Sequence, residues 1–203
     1  MDYFKKVLFA LYMTMCYLIS NTIGIWWFDK GYLKGRFFQR SRSQGWAWVV
    51  RGFWFQKVFG FNRHVPWPVS PRVTVGDYKN IEFNTDDLNI FQTYGTYFQA
   101  VGAKIIIGKG TWIAPNVGLI TSNHDLNDPA KRIQGEDIIL GEKCWIGMNS
   151  VILPGVRLGQ HTVVGAGSVV TKSFLTGYCV IAGNPAKIIK LLDSERASSG
   201  ETS

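Results

Sequence analysis

The sequence predicts an all-β solenoid, and two observations carry that prediction. An aliphatic residue recurs every six positions at Leu140, Ile146, Ile152, Leu158, Val164 and Val170, and Ile107, Ile113 and Leu119 keep the same spacing upstream. The residues between are small or turn-forming. Gly108, Gly141, Gly147, Gly159 and Gly165 follow the aliphatic directly, Pro115 and Pro154 come two places after it, and Val117, Cys144, Ser150, Thr162 and Ser168 four places after. A period of six fits neither the roughly 3.6 of an α-helix nor the 2 of a lone strand, so it marks an architectural repeat. An extended stretch that turns a corner every six residues generates a triangular coil, with glycine and proline supplying the corners. Stacked coils place the aliphatics in one interior and pair backbones from coil to coil, as in a parallel ladder.

The period breaks once. Leu119 and Leu140 stand 21 residues apart, which is not a multiple of six, and the break contains TSNHDLNDPAKRIQGED. This stretch reads as a loop over 121–138 that leaves the coil. His124 lies in it, outside the aliphatic columns, where an imidazole with an ordinary pKa near 6.5 suits a general base. A surface histidine on a polar loop is the competing reading. Asp125 either holds the second ring nitrogen or caps the loop through its backbone, and the sequence leaves both open.

Upstream of the repeats the chain changes character. Residues 1–72 hold 11 Lys/Arg against Asp2 and Asp29, whereas 73–203 hold 11 against 12 acids, so the net charge of +8 belongs to the first region. Six of the eight tryptophans are there as well. Val7 to Phe28 is free of charge, with Lys5 and Lys6 before it and Lys30, Lys34, Arg36, Arg40 and Arg42 after it. Its length reaches that of a spanning helix, although Ser20, Asn21, Thr22 and Gly24 weaken it. A second segment, 45–61, is apolar with Arg51, Gln56 and Lys57, and suits a helix lying in an interface. We therefore expect residues 1–61 to associate with a membrane surface, the alternative being a soluble cap. The basic flank places the repeats on the cytoplasmic side. The organisation read from the sequence is a 1–72 α-helical membrane-associating region, a 73–182 repeat domain, and 183–203 as a short C-terminal helix and disordered tail. Cys16, Cys144 and Cys179 are odd in number and widely spaced, which predicts no disulfide. Nucleic acid is disfavoured as a partner, because the basic region is too apolar and the repeats are near neutral.

The blocks GKGTWIAPNVGLITSNHD, GEKCWIGMNSVILPGV, VVGAGSVVTK and AGNPAKIIK occur in order between Val101 and Lys190. With them the chain resembles the hexapeptide-repeat acyltransferases, and most of all the coenzyme A-dependent sugar O-acetyltransferases of capsule, colanic-acid and O-antigen assembly. The resemblance implies a left-handed parallel β-helix, acetyl-CoA as co-substrate, no metal, and a homotrimer with the site between subunits. It implies His124 as catalytic base, with Asp125 beside it, and the main-chain N–H of Met148 as donor to the oxyanion. Trp145 and Asn123 would meet the acceptor. Gly147, Ala166, Ser168, Thr171, Lys172 and Lys187 would hold coenzyme A. The expected function is transfer of acetyl to a hydroxyl of a glycan or lipid-linked glycan precursor at the cytoplasmic face of the bacterial inner membrane. The alternatives are N-acetylation of a nucleotide-sugar amine and a non-catalytic binding solenoid. A γ-class carbonic anhydrase would need three grouped histidines, and His64, His124 and His161 are far apart in sequence.

Overall fold

In the computed structural model, residues 3–22, 24–39 and 44–193 are described, and the chain divides into two compact units, Met1–Pro71 and Arg72–Ser203. Arg40, Arg42 and the tail 194–203 lie outside the described residues.

The second unit is the coil that the six-residue period requires. Three parallel sheets are visited in rotation. Face A carries β1 (Thr74–Val75), β3 (Tyr97–Phe98), β6 (Gly118–Leu119), β9 (Val151–Ile152) and β12 (Val169–Val170). Face B carries β2 (Ile81–Glu82), β4 (Ile105–Ile107), β7 (Ile138–Leu140) and β10 (Arg157–Leu158), and face C carries β5 (Trp112–Ile113), β8 (Trp145–Ile146), β11 (Thr162–Val164) and β13 (Cys179–Gly183). All nine aliphatics of the period point inward and are at most 4% exposed. Each contributes roughly 1.5–3 kcal/mol by leaving water. In the first coil, 3-10 turns over Thr85–Gln92 stand where a face C strand would, and their Leu88, Ile90 and Phe91 are fully buried. Asp87 ties this segment to the next coil by accepting a 2.7 Å hydrogen bond from the Gly110 amide.

The glycines that follow each aliphatic are needed for a reason other than corner conformation. Gly141 donates its N–H to Leu158 in the next coil at 2.8 Å, and a Cβ on it would sit 2.6 Å from the amide nitrogen of Gln160. The left-handed corner positions themselves are filled as often by Asn116, Lys143, Asn149 and His161 as by glycine. Cys144 occupies its expected inward slot, and the three cysteines are all buried and free.

The predicted C-terminal helix is a strand instead. Asn184 and Pro185 turn the chain, as expected, but β14 (Ala186–Leu191) then runs back antiparallel along β13. The last rung of face C offers a free row of backbone groups, and a β-branched run such as AKIIKL satisfies it better than a helix would.

The first unit has its own core. The apolar run forms α1 (Tyr3–Thr22), which ends where Ser20, Asn21 and Thr22 dilute it, and a 3-10 turn over Gly24–Trp26 follows. No described helix is long and apolar enough to cross a membrane, and the run from Val7 to Phe28 is not a single helix, because α1 ends at Thr22. The second segment folds as α2 (Gln44–Gly52), continued by a π-helical turn over Phe53–Val58. Cys16 of α1 packs with Phe28, Trp46 and Val49, and Ser20 donates its hydroxyl to the Trp46 carbonyl at 3.1 Å. Buried Gln56 closes the unit, donating to the Trp67 carbonyl at 3.1 Å and accepting from the Val69 amide at 2.7 Å.

Replacing the fully buried Ile152 by Asp should abolish cooperative folding of the coil, because an unpaired carboxylate in this column costs several kcal/mol. Ile152→Val should cost only about 1 kcal/mol. Thermal melting of the two variants checks the pair, and an Asp variant that melts with the parent contradicts the interior assignment.

Candidate active site

The break in the period becomes a pinned hairpin. It leaves face A after β6, at the edge between faces A and B. Gln99, just past β3, anchors its start: the side-chain oxygen accepts from the amides of Thr121 and Ser122, both at 2.9 Å. Asp137 anchors its end, accepting from the Lys104 amide at 2.7 Å. Between them, His124 and Arg132 form an antiparallel bridge, Ile133 donates to the Asn123 carbonyl at 3.1 Å, and Asp125 donates to the Lys131 carbonyl at 2.9 Å.

His124 is exposed, and its Nδ1 lies 2.6 Å from the Pro129 carbonyl oxygen. A carbonyl only accepts, so Nδ1 carries the proton, and in the neutral ring the lone pair is on Nε2. Pro129 therefore has the orienting part that the sequence left open to Asp125. The Asp125 carboxylate instead accepts from the amides of Asn127 at 2.8 Å and Asp128 at 3.1 Å. It caps the hairpin turn, and its effect on the ring is through the loop. Asn123 is exposed next to His124, with its carbonyl committed to the hairpin.

Met148 and Ala166 lie at a different edge, between faces C and A, in successive coils. The spacing of paired strands puts them about 4.8 Å apart along the prism. The amides around them are taken up: Gly147 donates to the Val164 carbonyl at 2.9 Å, Asn149 to Pro115 at 3.2 Å, and Gly167 to Met148 at 2.8 Å. The N–H groups of Met148 and Ala166 have no intrachain partner among the described residues. The equivalent position one coil earlier is Pro115, which has no N–H. One coil later it is Gly183, which donates to the Ser168 hydroxyl at 3.2 Å.

Two residues predicted to hold coenzyme A have structural duties in the coil. Ser168 is buried, and its hydroxyl donates to the Gly165 carbonyl at 2.6 Å, so it braces the corner from inside. Gly147 admits the neighbouring coil, since a Cβ there would stand 2.6 Å from the Val164 carbonyl oxygen. Thr171 and Lys172 are exposed at the A–B edge, two coils along from the hairpin that carries His124. Lys187 is exposed on β14. The predicted residues thus divide between separate edges of one prism, and the chain by itself does not gather them.

Trp145 stands on the outside of face C, 56% exposed, as expected. Trp112, 57% exposed, is its register partner on β5, so the outer surface carries two neighbouring indoles. The sequence reading missed Trp112, although its place directly before Ile113 repeats that of Trp145 before Ile146. It also missed Gln99 and Pro129, which act through a side-chain oxygen and a carbonyl that no spacing reveals. The returning strand of the hairpin, with Glu136 and Asp137, joins Gly102, Gly155 and Arg157 around an open polar depression of about 520 Å³. Among the described residues no group of three His, Cys, Asp or Glu comes together as a metal set would.

Comparison with known proteins agrees with this architecture. Residues 137–172 match the family described as bacterial transferase hexapeptide (six repeats). The chain is 37% identical over 125 residues to the Escherichia coli K12 protein provisionally named colanic acid biosynthesis acetyltransferase WcaF, covering 62% of this chain and 59% of that protein. It is 39% identical over 90 residues to the galactoside O-acetyltransferase of the same organism, covering 42% and 43%. A solved hexapeptide-repeat containing acetyltransferase from Vibrio cholerae aligns with a TM-score of 0.50 at 26% identity, over 62% of this chain and 70% of that one. The matched regions span 46%, 66% and 54% of three further relatives, from Saccharomyces cerevisiae, Schizosaccharomyces pombe and Dictyostelium discoideum. Three parallel faces, a six-residue period broken once by a histidine hairpin, and these matches lead to one conclusion: the chain belongs to the hexapeptide-repeat transferase family.

Proposed function

We propose that this protein is an acyl-CoA-dependent O-acetyltransferase that moves acetyl from acetyl-CoA to a hydroxyl of a glycan or lipid-linked glycan precursor. The observation that carries the reading is the His124 ring, with Nδ1–H held by Pro129 and Nε2 left as an exposed base. In this reading Nε2 takes the proton of the acceptor hydroxyl as its oxygen attacks the thioester carbonyl. Charge gathers on the carbonyl oxygen, where the open Met148 N–H is suited to receive it. The imidazolium then returns its proton to the departing thiolate, so no net proton is lost from the enzyme.

The donor fits what the C–A edge offers. Two open N–H groups one coil apart suit an oxyanion and an amide of an extended pantetheine arm, and Ala166 and Gly167 leave room beside the backbone. Lys172 and Lys187 can meet phosphate as point charges. Because the base and these donors occupy different edges, a complete site requires a neighbouring prism. A homotrimer of left-handed coils supplies that arrangement with three equivalent sites. Relatives that bear the names colanic acid biosynthesis acetyltransferase and galactoside O-acetyltransferase support a sugar acceptor and favour oxygen over nitrogen as nucleophile.

Labelled acetyl-CoA incubated with the protein and a membrane extract should yield an alkali-labile acetyl ester on a glycan; an alkali-stable amide product would replace the O-transfer reading with N-transfer. His124→Ala should lower kcat/KM by about 10²–10⁴ with an unchanged melting curve, and near-parental turnover ends the assignment of the base. In ¹⁵N spectra of imidazole-labelled protein, neutral His124 should carry its proton on Nδ1. A fully active monomer on dilution contradicts the shared site.

A further inference from the structure

We infer that the first unit is a monotopic docking surface for an anionic lipid bilayer, with α1 lying in one leaflet instead of crossing it. From Tyr3 to Tyr12 every residue of α1 is exposed; the first inward one is Met13. That is about 15 Å of helix with Lys5 and Lys6 as its only charges. Phe4, Leu8, Phe9 and Leu11 are 67%, 50%, 58% and 62% exposed, so the apolar surface runs round the helix. A helix that is apolar on all sides is ordinarily buried. The core contacts begin only at Met13, Cys16 and Ser20, which form one stripe on the later turns.

Charge selects the occupant. The first unit carries 10 Lys/Arg against two acids, and Lys5, Lys6, Lys30, Lys34 and Arg63 are exposed. A second copy of this surface would bring like charges together, whereas an anionic bilayer offers both acyl chains and phosphate. Trp26 is 83% exposed and Trp54 53%, and indole is suited to headgroup depth. No described helix is long and apolar enough to cross a membrane, and an exposed apolar helix with basic residues beside it suits insertion in the interface. This inference is independent of the acetyl-transfer reading, since it uses none of the residues assigned to that site.

The test is vesicle sedimentation of the full-length protein. Vesicles of phosphatidylcholine with phosphatidylglycerol should bind it at least about tenfold more tightly than phosphatidylcholine alone, and less tightly as salt rises. The double change Lys5→Gln and Lys6→Gln should weaken binding about thirtyfold, at about 1 kcal/mol per cation. Leu8→Asp with Leu11→Asp should abolish it, while far-ultraviolet circular dichroism and acetyl transfer to a soluble acceptor stay at parental levels. Lipids brominated close to the headgroup should quench Trp26 fluorescence more than lipids brominated near the chain ends. Equal binding to neutral and anionic vesicles, binding untouched by the aspartates, or a Leu8→Cys variant that cross-links to a second copy and ignores vesicles would each overturn the proposal.

Discussion

The separation of neighbouring coils, set by backbone hydrogen bonding at about 4.8 Å, is the constraint on which the repeat unit depends. It decides which residues are possible before side-chain chemistry enters. Gly141, Gly147 and Gly159 stand where a Cβ would meet the backbone of the next coil at 2.6 Å or less. The interior is equally restricted: each face sends one aliphatic column inward, Ile113, Ile146 and Val164 from face C, Leu119, Ile152 and Val170 from face A, and Ile107, Leu140 and Leu158 from face B, without polar atoms. Thr162, Ser150 and Ser168 sit just off these columns and return their hydroxyls to carbonyls of Gly159 and Gly165 at 2.6–3.0 Å. These polar groups are tolerated inside because a corner supplies each with an acceptor.

So strict a period makes its single interruption informative. A coil with no freedom to vary can carry chemistry only at edges or in an insertion, and the hairpin between β6 and β7 (Ile138–Leu140) is the insertion. Gln99 and Asp137 fasten it to the coil at both ends, and the Asp125 cap and the His124–Arg132 bridge stiffen it between. The imidazole is thereby oriented by a carbonyl acceptor five residues on in its own loop. An imidazole held by its own loop keeps its orientation whatever the neighbouring edge presents, as the proposed base in a site completed by a second subunit would need.

The parts of this that the sequence disclosed are those written in side-chain identity at fixed spacing. The nine aliphatics, the exposed Trp145, the isolated His124 and the turn at Asn184–Pro185 were all legible, because each follows from which residue type recurs where. What was not legible depends on backbone partners. Nothing in the string separates the two readings of Asp125 until the amides of Asn127 and Asp128 are seen to take its carboxylate. Ser168 resembles a ligand contact in sequence, yet its hydroxyl is spent on Gly165 and Gly183. The C-terminal helix failed for the same reason: the open rung of β13 decides the fate of AKIIKL, and that rung is a property of the assembled sheet.

The row of donors at the C–A edge shows how the repeat itself limits a site. From β5 onward, one residue in each coil stands two places after the face C aliphatic, at the C–A edge. Four coils place Pro115, Met148, Ala166 and Gly183 there in order. Proline has no proton to give, and Gly183 donates to Ser168, so the row is two donors long and closed at both ends. Extending it would take a residue other than proline at 115 or loss of the Ser168 hydroxyl, and shortening it would take a proline at 148 or 166. The solenoid repeats this edge position coil by coil, and the residues at 115 and 168 set how many of its N–H groups remain open. In the proposed reaction a row of two suits the thioester carbonyl and one amide of the pantetheine arm, so the proposed donor site rests on the same spacing that holds the prism together.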